Sequence, residues 1–270
     1  MKAVSKTIVV TGAGSGMGRE LTLQLLKKGS RVAGIDIQAA TLEETRQLAE
    51  VGEDQFKGFV LDIADREKVE QLPGEVIDHF GGVDGLINNA GIIQPFKPVA
   101  ELTYTDIHRV MNVNFYGTLY LIKAFLPLLV QRPEAHIVNI SSMGGFIPFP
   151  GQTVYGASKA AVKLLTEGLY AELKETSVRV TVVHPGAIAT NITENSGLGK
   201  PKAEADASQA AMTLPADKAA AIIIRAMEND KYRITVGRDA AMLDLLYRFS
   251  PRFATNFIGR MMKKVLANMQ

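Results

Sequence analysis

Short β-branched runs and helix-length amphipathic segments take turns along most of this chain, and that alternation limits the folds open to it. TIVVT (Thr7–Thr11) is followed by a helical pattern reaching Lys28, RVAGID (Arg31–Asp36) by one from Ala39 to Val51, and GFVLDI, ending in Asp62 and Ile63, by one from Arg66 to Phe80. DGLINNAG, HIVNIS, VRVTVVHPG and Arg233–Gly237 continue the series, with helical patterns over Thr103–Leu129 and Tyr155–Glu175. Strands separated by helices return in the same direction and build a parallel sheet covered on both faces. The expected architecture is therefore α/β: one doubly wound domain over residues 1–237, a seven-stranded parallel sheet with helices on both faces, plus a C-terminal amphipathic helical extension over residues 238–270. At 270 residues and 47% hydrophobic composition the chain can bury a core of that size. No linker-like tract divides it, and no repeat exceeds the alternation itself. Ala187–Leu214 is a long interruption with Gly197, Gly199, Pro201 and a polar AEADAS run, and reads as a lid.

The totals exclude several classes of function. A formal net charge of +2 leaves no general electrostatic footprint for nucleic acid, so no nucleic-acid partner is expected. Zero cysteines remove disulfides, thiolate metal sites and cysteine nucleophiles, and suit a reducing cytoplasm, the expected location. The apolar run near the N-terminus is too short for a signal peptide, and no uninterrupted apolar run of about 18 residues suggests a membrane span.

The chemistry concentrates at strand ends. After TIVVT come Gly12, Gly14, Gly16 and Gly18, spaced GxxxGxG from Gly12, where backbone N–H groups at a helix start can approach a pyrophosphate. About 20 residues on, Asp36 ends the second strand, where a carboxylate can accept both hydroxyls of an adenosine ribose and would repel a 2′-phosphate. Neither Ser15 nor Ile37 supplies a compensating cation, which favours NAD over NADP; a strand-end cap is the plainer role for Asp36. Asp62 stands where an adenine edge could pass or could cap the next helix. Asn88, Asn89, Ala90 and Gly91 suit close contact with a cofactor, the two Asn residues equally a turn. Asn112 and Asn114 interrupt a long apolar-periodic helix where Asn is unfavourable, and Pro127 should disturb its end. In NISSMGGFIPFPGQTVYGASK (Asn139–Lys159), Tyr155 and Lys159 are four apart and share a helical face, with Cβ atoms roughly 6 Å apart. A cation fixed beside a phenol of ordinary pKa near ~10 draws it toward neutrality, where acid/base work is efficient. An ordinary surface Tyr and Lys is the alternative.

TGAGSGMG at Thr11–Gly18, Asp36, NNAG at Asn88–Gly91, NVNFYG around Asn114, NISS, YGASK and HPGAIAT together resemble the short-chain dehydrogenase/reductase family over roughly Lys6–Gly237. The resemblance implies a Rossmann-like domain in which Tyr155 is the acid/base, Lys159 lowers its pKa and binds the nicotinamide ribose, Ser142 holds the reacting oxygen, and Asn114 anchors a proton-relay water. Ser142 is chosen over Ser141 because it lies thirteen positions before Tyr155, and Asn114 over Asn112 because NxxG follows it. The implied cofactor is NAD. Gly12, Ser15, Gly16, Met17 and Gly18 would hold its phosphates, Asp36, Ile37, Asp62 and Ile63 its adenosine half, and Asn89, Ala90, Gly91, Tyr155, Lys159, Pro185, Gly186, Ile188 and Thr190 its nicotinamide half. Thr190 would hydrogen-bond the carboxamide. Members of the family often form dimers and tetramers through the two long helices that here contain Asn114 and Tyr155.

These readings converge on an NAD-dependent oxidoreductase that interconverts a secondary alcohol and a ketone. The alternative is a nucleotide-binding regulator or scaffold without turnover. Ser142, Met143, Phe146, Phe149, Tyr155 and Leu198 are the expected substrate contacts, with Glu194 the main charge in the lid, so the small-molecule alcohol or ketone should be apolar. Beyond Gly237, Met242, Leu245, Leu246, Phe249, Phe253, Phe257, Met261 and Val265 fall at helical spacing on two amphipathic helices. This stripe is expected to pack on its own protein or a sister subunit. An anionic membrane surface is the alternative partner, because Arg252, Arg260, Lys263 and Lys264 follow with no acid after Pro251.

Overall fold

The computed structural model describes residues 1–199 and 213–267, with side chains described as far as residue 262. Pro201 and the AEADAS run of the expected lid, and the side chains of Lys263, Lys264 and Val265, lie outside the described residues. Seven strands form one parallel sheet: β1 (Thr7–Thr11), β2 (Arg31–Asp36), β3 (Phe56–Val60), β4 (Gly85–Asn88), β5 (Ala135–Ile140), β6 (Val178–Pro185) and, after the short β7 (Ile188–Ala189) and β8 (Leu214–Pro215), β9 (Arg233–Val236). Their spatial order is β3-β2-β1-β4-β5-β6-β9, and β7 pairs with β8 as a separate ribbon. The helices are α1 (Gly16–Lys27), α2 (Ala39–Ala49), α3 (Arg66–Phe80), α4 (Tyr104–Met111), α5 (Thr118–Leu129), α6 (Thr153–Glu172), α7 (Ile192–Asn195), α8 (Ala216–Glu228), α9 (Arg238–Phe249) and α10 (Pro251–Ala267). Strand order reverses between β1 and β4, which opens a crevice at the C-terminal ends of these strands.

Side chains of a strand point alternately to the two faces, and β1 shows what that does here. Ile8 and Val10 join Leu21 and Leu25 of α1 and Ile223 and Met227 of α8 in one core. Val9, between them, joins Val76 of α3 and Leu121 and Phe125 of α5 in a second core on the opposite face. Both faces are covered, as the near-continuous apolar strands require.

Several boundaries differ from the sequence reading for identifiable reasons. The third strand starts earlier and ends at Val60; buried Leu61 and Ile63 belong to the connection that follows it. Between α4 and α5 the chain passes through a π-helical segment, Asn112–Gly117, instead of continuing as one regular helix. Asn112 is exposed, whereas Asn114 is fully buried with its amide bonded outside the helix, which resolves the cost of a mid-helix Asn. Pro127 does not break α5, which runs on to Leu129.

The C-terminal stripe also turns out differently. Leu243 of α9 and Ala254 and Ile258 of α10 are the buried positions, packed on Ile147 with Leu246, Tyr247 and Met262 beside them. Met242, Leu245, Phe249, Phe253, Phe257 and Met261 instead face away from the protein, Phe249 with 90% of its surface exposed. Two helices wrapped on one small apolar patch can bury only one side each, and the richer side was left out.

Two buried histidines give the fold a pH dependence. His136, bonded through Nε2 to Thr181 Oγ1 at 2.8 Å, is pushed down to about 3, and His184, bonded through Nδ1 to the Ser142 carbonyl at 3.1 Å, to about 4, in both cases chiefly by burial. Between those values and the ordinary 6.5, the unfolded chain binds protons that the native protein refuses, so the two histidines cost no stability above about pH 6.5 and lower it as pH drops. The unfolding free energy from urea titrations should fall by up to about 1.4 kcal/mol per pH unit for each histidine below that point, and His136→Asn should remove one of the two contributions to that slope.

Candidate active site

The crevice at the strand ends is a cleft of about 780 Å³. One wall is the β1–α1 turn. Gly12 and Gly16 take positive φ (69° and 51°), and a Cβ on Gly18 would stand 1.9 Å from the Gly12 carbonyl oxygen, so only glycines allow the loop to fold back on itself. No side chain caps α1, and Ser15 Oγ instead accepts from Asn195 Nδ2 at 2.9 Å. Gly16, Met17 and Gly18 therefore bring the first turn of a helix to the cleft, the dipole end that favours a phosphate. Thr11 Oγ1 accepts the N–H groups of Asn89 and Ala90, both at 2.9 Å, and Asn89 Nδ2 donates to the Thr11 carbonyl, which ties the ends of β1 and β4 together.

Asp36 lines the cleft while accepting from the backbone N–H of Gly14 at 3.0 Å and of Gln38 at 3.1 Å. It braces the glycine loop against the start of α2 as well as facing the cleft. Arg19, the cation of this unit, is spent on Glu44 at 2.7 Å and on the Gly14 carbonyl. Ile37, Asp62 and Ile63 complete this end of the lining. Asp62 accepts from Ala64 N–H at 2.9 Å, and the cap of α3 is Asp65.

At the other end, Ser142, Tyr155 and Lys159 come together as the sequence suggests. Ser142 Oγ accepts from Gly144 N–H at 3.0 Å and hydrogen-bonds the Tyr155 side chain. Ser141 turns away, its hydroxyl donating to the Lys159 carbonyl at 2.8 Å. Lys159 Nζ is buried and donates to the Ile140 carbonyl at the end of β5, at 3.0 Å. Gly91 adjoins it, since an added Cβ there would be 3.0 Å from Nζ. Asn114 locks this corner: Oδ1 accepts from Ile92 N–H at 2.8 Å, while Nδ2 donates to the Ile92 carbonyl and to Ser158 Oγ, each at 2.9 Å.

The electrostatics correct one expectation. A phenol lowered by its lysine neighbour is what the spacing suggests, yet in the protein alone burial pushes the Tyr155 phenol up and the Ser142 hydrogen bond only partly offsets it. Burial likewise draws Lys159 down to about 8. Desolvation penalises phenolate and ammonium alike, and the Lys159 ammonium is directed at a carbonyl.

Of the expected substrate contacts, Met143, Phe149, Ser142 and Tyr155 line the cleft, and Phe146 and Leu198 do not. Phe146 packs edge-on to His184, at 5.3 Å between ring centres, beneath the Arg233 guanidinium. Leu198 lies past the end of α7, its N–H donating to the Thr193 carbonyl. Glu194 is absent from the lining, whereas Arg109 of α4, bonded to the Ser196 carbonyl, joins it. Pro185, Gly186, Ile188 and Thr190 follow β6 into the lining, with Thr190 against Gly16.

Sequence reasoning missed Gln94. Its side chain is fully buried; Oε1 accepts the N–H groups of Val154 and Tyr155 at 2.8 and 2.9 Å, and Nε2 donates to the Gly151 carbonyl at 2.9 Å. This is an N-terminal cap for α6 supplied from a distant loop, and it fixes the turn that carries Tyr155. Only GIIQP after NNAG marks it in the sequence, with no local pattern that names its partners.

Comparison with known proteins agrees with this fold. The short chain dehydrogenase family model matches residues 6–200. SadH of Mycobacterium tuberculosis, provisionally named an oxidoreductase, is 38% identical over 250 residues, 90% of each chain. Among solved structures, a short chain dehydrogenase/reductase from Burkholderia phymatum in complex with NAD superposes with a TM-score of 0.79 at 26% identity, covering 87% of this chain and 90% of that one. A short chain dehydrogenase from Burkholderia cenocepacia in complex with NADP gives the same score and identity, covering 96% and 99%.

Gln94→Ala should lower the unfolding free energy by about 3 kcal/mol, because two N–H groups lose their acceptor in a buried turn. Urea denaturation checks this, and Gln94→Glu, which sets a second oxygen against the Gly151 carbonyl in a buried site, should not recover the loss at neutral pH.

Proposed function

Because the chain belongs to the short-chain dehydrogenase/reductase family, we propose that this oxidoreductase interconverts a secondary alcohol and a ketone of an apolar small molecule, with NAD as its preferred cofactor. The observation that carries the reading is the Ser142–Tyr155 hydrogen bond beside a buried Lys159 at the mouth of a cleft with a glycine cradle at its far end. The residues present fit a nicotinamide dinucleotide: an uncapped helix start for its phosphates, a carboxylate for its ribose, and a small-residue wall at Asn89–Gly91. When bound, that cofactor supplies hydride exchange at the reacting carbon.

The chain's own residues supply the rest. Ser142 orients the substrate oxygen toward Tyr155. Tyr155 gives that oxygen a proton in reduction and takes one in oxidation. A phenol pushed up by burial is protonated at neutral pH, the state that reduction needs. Lys159 binds ribose hydroxyls and steadies the phenolate left behind, and Asn114 anchors the relay water that returns the proton. Thr190 holds the carboxamide. Ile92, Ile93, Val113, Met143, Phe149 and Met262 give the substrate end its apolar lining. Asp36 faces the cleft with no unpaired cation on its own loop, which supports NAD over NADP. The zero-cysteine chain suits the cytoplasm. A dimer or tetramer through α4–α5 and α6 is supported by exposed Tyr116, Leu164 and Tyr170 on that face.

Tyr155→Phe should fold and bind NADH but lose at least about a hundredfold in turnover with a panel of apolar ketones; retention of a tenth of the rate would remove Tyr155 from this role. NADH binding by the wild type without turnover of any substrate would favour a regulator. Asp36→Ala should shift the NAD-to-NADP ratio of kcat/KM toward NADP by about tenfold or more, and an unchanged ratio would leave Asp36 as a brace for the glycine loop only.

A further inference from the structure

We propose that the α9–α10 hairpin is a docking surface for an anionic lipid bilayer. Met242, Leu245 and Phe249 form one stripe on α9, and Phe253, Phe257 and Met261 form another on α10, the two meeting where Phe249 and Phe253 stand four residues apart across the Ser250 turn. All six are exposed, Leu245 at 71% and Phe249 at 90%. The opposite face of each helix is already satisfied against Ile147, so the exposed stripes are not a core awaiting closure within the monomer.

Charge selects the occupant. Six of the chain's 30 cations but only two of its 28 acids lie from Arg238 onward, so this segment carries net +4 while the rest of the chain carries −2. Both acids are engaged within the protein. Asp239 accepts from Ala187 N–H at 2.7 Å, and Asp244 is held by Arg233 at 2.8 Å and by Arg248 at 3.1 Å. Arg252 and Arg260 remain exposed beside the aromatic stripe. Bulky apolar side chains flanked by exposed cations are what an interfacial helix presents to headgroups and acyl chains. A second copy of this chain would bring the same net positive segment against itself, and the exposed Tyr116, Leu164 and Tyr170 give a second copy a separate face. On its inner side α10 sends Met262 into the cleft lining, so docking would bring the cleft close to the lipid.

The test is co-sedimentation of the full chain with vesicles of equal phosphatidylglycerol and phosphatidylcholine, against phosphatidylcholine alone. The wild type should pellet with the anionic vesicles and at least about tenfold less with the neutral ones. Phe249→Ser with Phe253→Ser should weaken vesicle binding by about tenfold or more, with thermal midpoint and NADH affinity unchanged. Arg252→Gln with Arg260→Gln, which keeps the apolar stripe, should weaken binding to anionic vesicles by a similar factor and serves should the first variant fail to fold. A wild-type chain that stays in the supernatant overturns the proposal. So does binding that neither variant reduces, or a serine variant whose only change is a smaller oligomer by light scattering, which would make the stripe a contact between copies.

Discussion

Burying an ammonium beside a phenol is the constraint around which this protein is arranged. Lys159 loses enough hydration to fall to about 8, and its compensation is one carbonyl, that of Ile140 where β5 ends. Reaching that carbonyl requires α6 to lie close against the strand end. Gly145 permits it, since a Cβ there would be 2.8 Å from the Lys159 carbonyl oxygen, and Ser141 bonds that same carbonyl. The Asn114 amide then ties the π-helical segment to Ile92 and Ser158, and the Gln94 amide holds the start of α6. These polar side chains thus keep Tyr155 and Lys159 in register.

The same arrangement explains why the two ends of the cleft are built differently. In the proposed function, the end that would take the phosphates is backbone: glycines, uncapped N–H groups and a carboxylate that braces the glycine loop. The end that would hold the reacting groups is side chain, desolvated and hydrogen-bonded, where a proton's position is sensitive to burial. A cofactor needs close approach, whereas a proton needs a defined dielectric, and strand ends on the two sides of the switch point supply one each.

Much of this was legible because it is written locally. TIVVT and RVAGID have the boundaries their β-branched runs suggest, and the YGASK spacing places Tyr155 and Lys159 on one face of a helix. What could not be read depends on partners far along the chain. Gln94 reaches α6 some 60 residues away, and Arg109 meets Ser196 across 87. Phe146 carries the right chemistry for a substrate pocket, but a ring that finds His184 and Arg233 is satisfied on the other side of its loop. For the C-terminal stripe, helical spacing revealed two faces and not which one the protein would cover. On α10 the protein covers Ala254 and Ile258 and leaves the phenylalanines outward.

Among the described residues, the stretch around α7 is tied to the walls of the cleft by Asn195 to Ser15, by Ser196 Oγ to Ile93 N–H and by Arg109 to the Ser196 carbonyl. The contact with Ser15 joins this stretch to the glycine loop at the start of α1, so whatever displaces Asn195 from that hydroxyl removes a tie between two walls of the cleft.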